Sequence, residues 1–487
     1  MKKDKINLVL ANLWHFPAKT PHFGLATLAA YIRQENPDVR ISIVEGMDIA
    51  EEIIRKKPDI VGFTSDTLMY NRVCRLAKKI KEKTKAPLLI GGIHISALPS
   101  SFDSVFDLGI QGEGEKTLAE ILRLYQNRRE FPREDLMKIP GLVFFDGNDF
   151  IDTGRPPLIS DIDKLPFAAR DLTPMEEVYL KDQFNLFGTK RTVAMMTSRG
   201  CPYKCRFCGS PAQWERVRFH SAEYVVAEIE HLVDKYRIDG IMFWDDLFIA
   251  PEGRILKLSE LIRSKGLDKK LVFSGFGRAN LINEKVCAVL KLMNVKRLIF
   301  GLESGSEKVL EYLKRSSVTI EDNRRAVTLC RKFGISTASG YIVGTPGETA
   351  EDLKKTLRFM KKYPLDNTQI YILTPYPGTE IWKTAREQGI ISDKTNFDAL
   401  FVQLKRPTIF DFMRDGKSNI LQGRIFLNSE FKKNRKYKNI IFAMTKLAFR
   451  QNLKFYLKRL PLELDLIGRM IISKTRSMIM KIVKDVR

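Results

Sequence analysis

With 487 residues the chain is several times longer than one hydrophobic core requires, which predicts two or three domains. Its 44% hydrophobic and 29% charged residues, with only 30 Gly and 21 Pro, exclude collagen-like, coiled-coil and wholly disordered chains. Against 58 acidic residues stand 82 Lys and Arg, a formal net charge of +24 that calls for a polyanionic partner or an anionic surface.

In chain order, Ile6 to Trp14, Val39 to Val44, Asp59 to Thr64, Pro87 to Gly91 and Leu108 to Gln111 read as strands. Helical spacing follows them, as in Leu25 to Glu35 and Lys116 to Tyr125. This α/β rhythm predicts a doubly wound parallel sheet over residues 1–140, with a ligand beyond the carboxyl ends of its strands. Those ends carry Thr64-Ser65-Asp66, Gly91-Gly92-Ile93-His94 and Gly112-Glu113-Gly114, which are also ordinary turn chemistry. Residues 141–190 read as a hairpin turning at Asp146-Gly147, then a Pro-punctuated linker. A second series of strands begins at Thr192 to Thr197 and continues near Gly240 to Phe243, Leu271 to Ser274, Arg297 to Phe300, Ser336 to Val343 and Gln369 to Leu373. Six strand and helix pairs over 191–400 predict an incomplete barrel whose active face is its set of loops after the strands. Residues 401–487 read as basic amphipathic helix.

Cys201-Pro-Tyr-Lys-Cys205-Arg-Phe-Cys208 follows the first barrel strand. Three thiolates at this spacing can hold one corner of a cubane iron-sulfur cluster and leave the fourth iron open to a ligand. The competing metal is structural zinc, but closed zinc sites take four ligands, and the next candidate, His220, lies twelve positions past Cys208. Six cysteines are too few for a disulfide scaffold, so the crowding of three points to a reducing compartment. Cys74, Cys287 and Cys330 sit singly in helical patterns, where packing explains them.

The Cys-x3-Cys-x2-Cys loop on the first strand of a βα barrel resembles the radical S-adenosylmethionine superfamily. The resemblance implies a [4Fe-4S] cluster on Cys201, Cys205 and Cys208, S-adenosylmethionine chelated to the open iron, and one-electron cleavage to a 5′-deoxyadenosyl radical. It implies S-adenosylmethionine contacts at Phe207, at Asp245 and Asp246 after the second barrel strand, at Glu303 and Ser304 after the fourth, and at Gly340, Ile342, Gly344 and Pro346 at the fifth. Taken singly these are weak, since Asp-Asp is usually a helix cap and Gly-Thr-Pro-Gly a turn. The doubly wound sheet before the barrel is similar to the cobalamin-binding branch of that family, which includes anaerobic porphyrin ester cyclases and hopanoid and phosphinate methylases. In that branch Thr64, Ser65, Gly91, Gly92, His94, Gly112, Glu113 and Gly114 would face cobalamin. No histidine stands in the Asp-x-His-x-x-Gly motif that replaces the lower axial ligand in some cobalamin proteins.

The resemblance implies methyl transfer to an unactivated carbon or phosphorus of a small-molecule or lipid substrate, with cyclisation or oxidation by the same cofactors as the alternative. A flavodoxin- or ferredoxin-type protein would supply the electron. A reading from another class is a zinc-containing nucleic-acid-binding protein, but more than half of the excess charge lies outside both predicted sheets: residues 431–487 hold 16 Lys or Arg against three acids. In that tail Ile440 to Met444 and Leu466 to Ile472 interleave apolar and basic residues. They would either lie on an anionic bilayer or cap the barrel with a solvated basic face. No apolar run approaches the ~20 residues needed to span a bilayer, and the expectation is a cytoplasmic protein, at the inner membrane face if the tail docks there.

Overall fold

In the computed structural model, which describes residues 5–14, 22–180, 187–392, 395–400 and 427–452, the first sheet has seven strands. They are β1 (Ile6–Leu13), β2 (Val39–Gly46), β3 (Ile60–Thr64), β4 (Leu88–Gly91), β5 (Leu108–Ile110), β6 (Leu142–Asp146) and β7 (Asp149–Asp152). The spatial order is β2-β1-β3-β4-β5-β6-β7, with the first five parallel. Helices cover both faces, so β3 reads Ile-Val-Gly-Phe-Thr with every residue buried, without the alternation of a half-solvated strand. The order reverses between β1 and β3, the switch point at which such sheets open a crevice.

The hairpin of β6 and β7, grouped with the linker in the sequence, pairs antiparallel onto β5 and extends this sheet. Behind it, residues 156–180 strap the two sheets together. The Ala169 amide donates to the Ala26 carbonyl at 2.9 Å, and the Tyr179 hydroxyl donates to Glu45 at 2.8 Å. Buried Arg170 pairs with Glu228 at 3.4 Å.

The second sheet follows β8 (Thr192–Met195) and a two-residue ladder of β9 (Ser198–Arg199) with β10 (Arg218–Phe219). It continues with β11 (Gly240–Phe243), β12 (Val272–Gly277), β13 (Val295–Glu303), β14 (Ser336–Val343) and β15 (Asn367–Ile372). Each strand of the order β8-β11-β12-β13-β14-β15 lies parallel to the next, an open six-stranded barrel. Odd and even positions divide the faces: Tyr341 and Val343 of β14 pack on the surrounding helices, while Ile342 turns inward. Capping boxes at Thr319/Asp322 and Thr349/Asp352 start the helices before and after β14.

A helix over 435–452 closes the barrel. Its Tyr437, Ile440, Ile441, Met444 and Ala448 are buried in the barrel core. The apolar side of the Ile440 to Met444 segment is therefore spent on the protein itself, as the capping alternative expects. Leu466 to Ile472 lie outside the described residues. Among the described residues no helix is long and apolar enough to cross a membrane.

Candidate active site between the two sheets

The cysteine loop joins β9 to β10 and so hangs from the end of the first barrel strand. Cys201, Cys205 and Cys208 are half-buried free thiols, with the Cys208 amide donating to the Cys205 carbonyl at 3.1 Å. Burial pushes the Cys201 thiol up and the Cys208 thiol to about 12. The free Cys201 and Cys208 thiols therefore stay protonated at neutral pH, and the charge of bound iron would make them ligands. Each thiolate of a cubane would bind a different iron, so that such a cluster does not need three donors converging on one ion. Among the described residues no three His, Cys, Asp or Glu side chains close on one ion. His220, the fourth ligand a zinc site would need, sits 3.0 Å from the Asp163 carboxylate and stacks on Tyr224 with ring centres 4.0 Å apart. The donor set fits a cubane and not a closed zinc site.

Phe207 turns inward between two of the cysteines and packs with Val309, Leu313 and Ile342, which brings together two residues predicted on different segments. The acidic pair after β11 is split. Asp246 accepts from the Ser210 hydroxyl and acts electrostatically on both Cys201 and Cys208. Asp245, expected beside the methionyl amino group, is 1% exposed and accepts from the Thr197 amide at 2.8 Å and from the Thr197 and Ser198 hydroxyls. Burial raises its pKa against these donors, and its bonds tie the β11 end to the segment that follows β8. Glu303 stands where the β13–β14 register slips, at φ +59, paired with Lys314 at 3.0 Å. A non-glycine residue held in the left-handed region costs about 1–3 kcal/mol and marks a position the fold over-determines. Its neighbour Ser304 is fully buried and braces the loop, sharing a hydrogen bond with the Thr356 hydroxyl at 3.1 Å.

At β14 Gly340 differs from expectation. A Cβ on Gly340 would lie 2.6 Å from the Tyr371 ring, so the space that its missing side chain leaves is filled by a neighbouring strand and not by a cofactor. Gly344 begins the turn carrying Pro346. Its amide donates to Glu348 at 2.7 Å, and the Tyr437 hydroxyl donates to the same carboxyl oxygen at 2.6 Å. Asn428 donates to the carbonyls of Thr345 and Glu348 at 2.8 and 2.9 Å. Burial pushes the Glu348 carboxyl up to about 7.

A cavity of about 670 Å³ opens at the carboxyl ends of β1, β3, β4 and β5. Thr64, Ser65, Gly91, Gly92, Gly112, Glu113 and Gly114 all line it, over an apolar floor that includes Leu10, Leu89 and Ile110. Gly92 has φ +99, and a Cβ there would stand 2.6 Å from the Ser65 carbonyl, so this cradle admits only glycine. Met196, Arg199, Trp214 and Trp244 form the opposite wall, contributed by the barrel. An apolar floor with exposed backbone at a switch point suits a broad, flat cofactor such as a corrin.

His94 is not part of that wall. It is fully buried, bonded to the hydroxyls of Thr67 at 3.1 Å and Ser101 at 3.0 Å and packed against Tyr70 and Phe397. Burial drives its pKa down to about 3, and it serves the core. Glu113 reaches the cavity edge, but its carboxylate is consumed. Arg199 and Arg218 donate to it at 2.6 and 2.8 Å, the Ile159 amide at 2.7 Å, and Arg199 also reaches Glu115 at 2.6 Å. Burial pushes the Glu113 carboxyl up, and these donors outweigh it and hold it below its usual range. Both guanidinium groups lie over Trp214, 5.6 and 5.8 Å from its ring centre. Sequence reading misses Arg199, Arg218 and Trp214; the signal available is that two arginines, Arg199 and Arg218, flank the cysteine loop on the paired strands β9 and β10.

The site geometry has counterparts among known proteins. Residues 195–360 match the model of the radical SAM superfamily, and residues 10–122 match that of the B12 binding domain. An uncharacterized methyltransferase of Pyrococcus horikoshii is 35% identical over 385 residues, covering 76% of this chain and 80% of that protein. The anaerobic magnesium-protoporphyrin IX monomethyl ester cyclase of Cereibacter sphaeroides is 24% identical, over 77% of this chain and 61% of the cyclase. Among solved structures, the cobalamin-dependent S-adenosylmethionine radical enzyme OxsB with aqua-cobalamin and S-adenosylmethionine bound superposes with a TM-score of 0.67 at 17% identity, over 93% of this chain and 73% of OxsB. The cysteine loop, the strand-end segments behind it and the glycine-lined cavity thus lie in the matched regions, and the chain belongs to the radical SAM superfamily, in the branch with an N-terminal B12-binding domain, as an enzyme of a [4Fe-4S] cluster, S-adenosylmethionine and cobalamin.

Proposed function

We propose that this enzyme transfers a methyl group to an unactivated carbon or phosphorus of a small-molecule or lipid substrate held between the sheets. The observation that carries the reading is the shared cavity: one wall is the glycine-lined switch point of the first sheet, the other the barrel face beside the cysteine loop. When bound, the cluster with S-adenosylmethionine supplies a 5′-deoxyadenosyl radical and cobalamin supplies a transferable methyl group.

The chain's own residues hold, orient and exclude water. Cys201, Cys205 and Cys208 ligate the cluster, with Asp246 beside them as acceptor for an ammonium group. Phe207 and Ile342, packed together, would form the apolar seat; Glu303 would offer its carboxylate to ribose hydroxyls, and the Gly344–Pro346 turn would border the adenine. Thr64, Ser65, Gly91, Gly92, Gly112 and Gly114 face the corrin. Hydrogen-atom abstraction needs no titrating side chain, so the site requires no acid-base pair. A flavodoxin- or ferredoxin-type donor provides the electron.

The test is anaerobic reconstitution with iron, sulfide and corrin measured on one sample, followed by product analysis. S-adenosylhomocysteine formed alongside 5′-deoxyadenosine supports methylation. Deoxyadenosine alone supports the cyclase or oxidative reading, which the cyclase relative keeps in view. Turnover that survives replacement of all three cysteines by alanine would overturn both.

A further inference from the structure

Arg278 follows directly on β12, at the end of the third barrel strand, and only 6% of it is exposed. Its side chain runs under the cysteine loop. The guanidinium carbon lies 3.7 Å from the centre of the Tyr203 ring, within stacking contact. Nη1 donates to Cys205 Sγ at 3.4 Å, and Nη2 donates to the Ser317 hydroxyl. Two residues on, Asn280 donates to the Tyr203 hydroxyl at 3.3 Å, so the same short segment grips the loop twice. Arg278 Nε has no hydrogen-bond partner among the described residues, and no carboxylate is paired with this guanidinium. A permanent positive charge is thus buried against one ligand sulfur.

We propose that Arg278 sets the reduction potential of the cluster, by fixing that charge and an N–H donor on the Cys205 sulfur. The proposal rests on the reading of the three thiolates as cluster ligands. Reduction adds one electron to a centre already carrying the negative charge of its thiolates. A nearby cation in a poorly solvated site lowers the cost of that electron, and a hydrogen bond to the sulfur draws density off the iron. The choice of arginine follows from its shape. Its plane stacks on Tyr203 while two edge nitrogens reach different acceptors, which the single ammonium of lysine cannot do. Arg278 acts through Cys205 and is a positioning residue, not a ligand.

The experiment is a redox titration of reconstituted full-length protein followed by electron paramagnetic resonance, after iron and sulfide have been measured in each sample. Arg278→Met removes the charge at similar bulk, and Arg278→Lys keeps a charge but loses the stacked fork. Both are expected to move the midpoint potential negative, Met further than Lys, and to lower the fraction of cluster reduced at any fixed potential. Wild-type protein that forms no cluster sinks the ligand reading itself. Variants that retain the cluster at an unchanged potential overturn this proposal alone, since a merely structural role would change occupancy and leave the potential where it was. If Arg278→Met loses the cluster, the Arg278→Lys potential decides.

Discussion

Glu348 shows how one side chain can make a binding turn sensitive to pH. Its Oε2 accepts from Gly344 and Tyr437, while Oε1 is buried with no partner among the described residues. An ionised carboxylate there is half satisfied, which explains the upward displacement to about 7. The folded value lies above the unfolded one, so the protein binds an extra proton when folded. The resulting stability is complete below the ordinary glutamate range and lost as pH rises through about 7. We expect the melting temperature to fall between pH 5 and pH 8, and Glu348→Gln to flatten that slope. The Glu348 contribution is at most about 3 kcal/mol across the window, from 1.36 kcal/mol for each unit of displacement. Melting curves of both proteins across this range check it; parallel slopes would refute the assignment. The Gly-Thr-Pro-Gly turn just before Glu348 was legible. The titration of Glu348 was not, because the donor Tyr437 comes from 89 residues further along the chain.

The helix over 435–452 does for the barrel what a seventh strand would do. Asn452 offers its Oδ1 to the Thr368 amide at 2.6 Å and its Nδ2 to the Thr368 carbonyl, which satisfies both ladder groups on the edge strand β15. Gln451 adds bonds to the Thr368 hydroxyl and the Met360 carbonyl at 2.8 and 3.1 Å. Removing the amide by Asn452→Ala leaves a buried N–H and C=O unpaired, and we expect a loss of about 2–3 kcal/mol of stability, read from denaturant melts. Strand positions were easy to read in this chain where β-branched residues run together, as in β3 and β14. The end of β12 was not, since Gly275 and Gly277 erase the strand signal, and the sequence reading stops at Ser274, short of Arg278. The hairpin of β6 and β7 was legible as a hairpin, but its attachment to β5 depends on pairing at long range.

For the molecule as a whole, the joint between the sheets is an ion network under Trp214. Arg218 is 5% and Glu113 2% exposed at the side chain, so neither charge can return to water if its partner is lost. Arg218→Met is expected to cost about 3–5 kcal/mol and to release corrin on gel filtration, while the iron content of the cysteine loop falls less. Equal loss of both cofactors would show that the network serves folding generally and not the joint. The two parallel sheets, the cysteine loop and most residues that line the cavity could be read from the sequence, because each sits at the end of a strand in a short local motif. Glu113 could be placed at the cavity but not given its partners, which approach from a second domain 86 and 105 residues away. The closing helix carries one more consequence, for biosynthesis. A chain emerging from the ribosome exposes β15 and presents an unbraced Gly344 turn until its last described helix has been translated. Closure of the barrel therefore waits on residues 435–452, and a product stalled before them would hold the cysteines without a finished barrel around them.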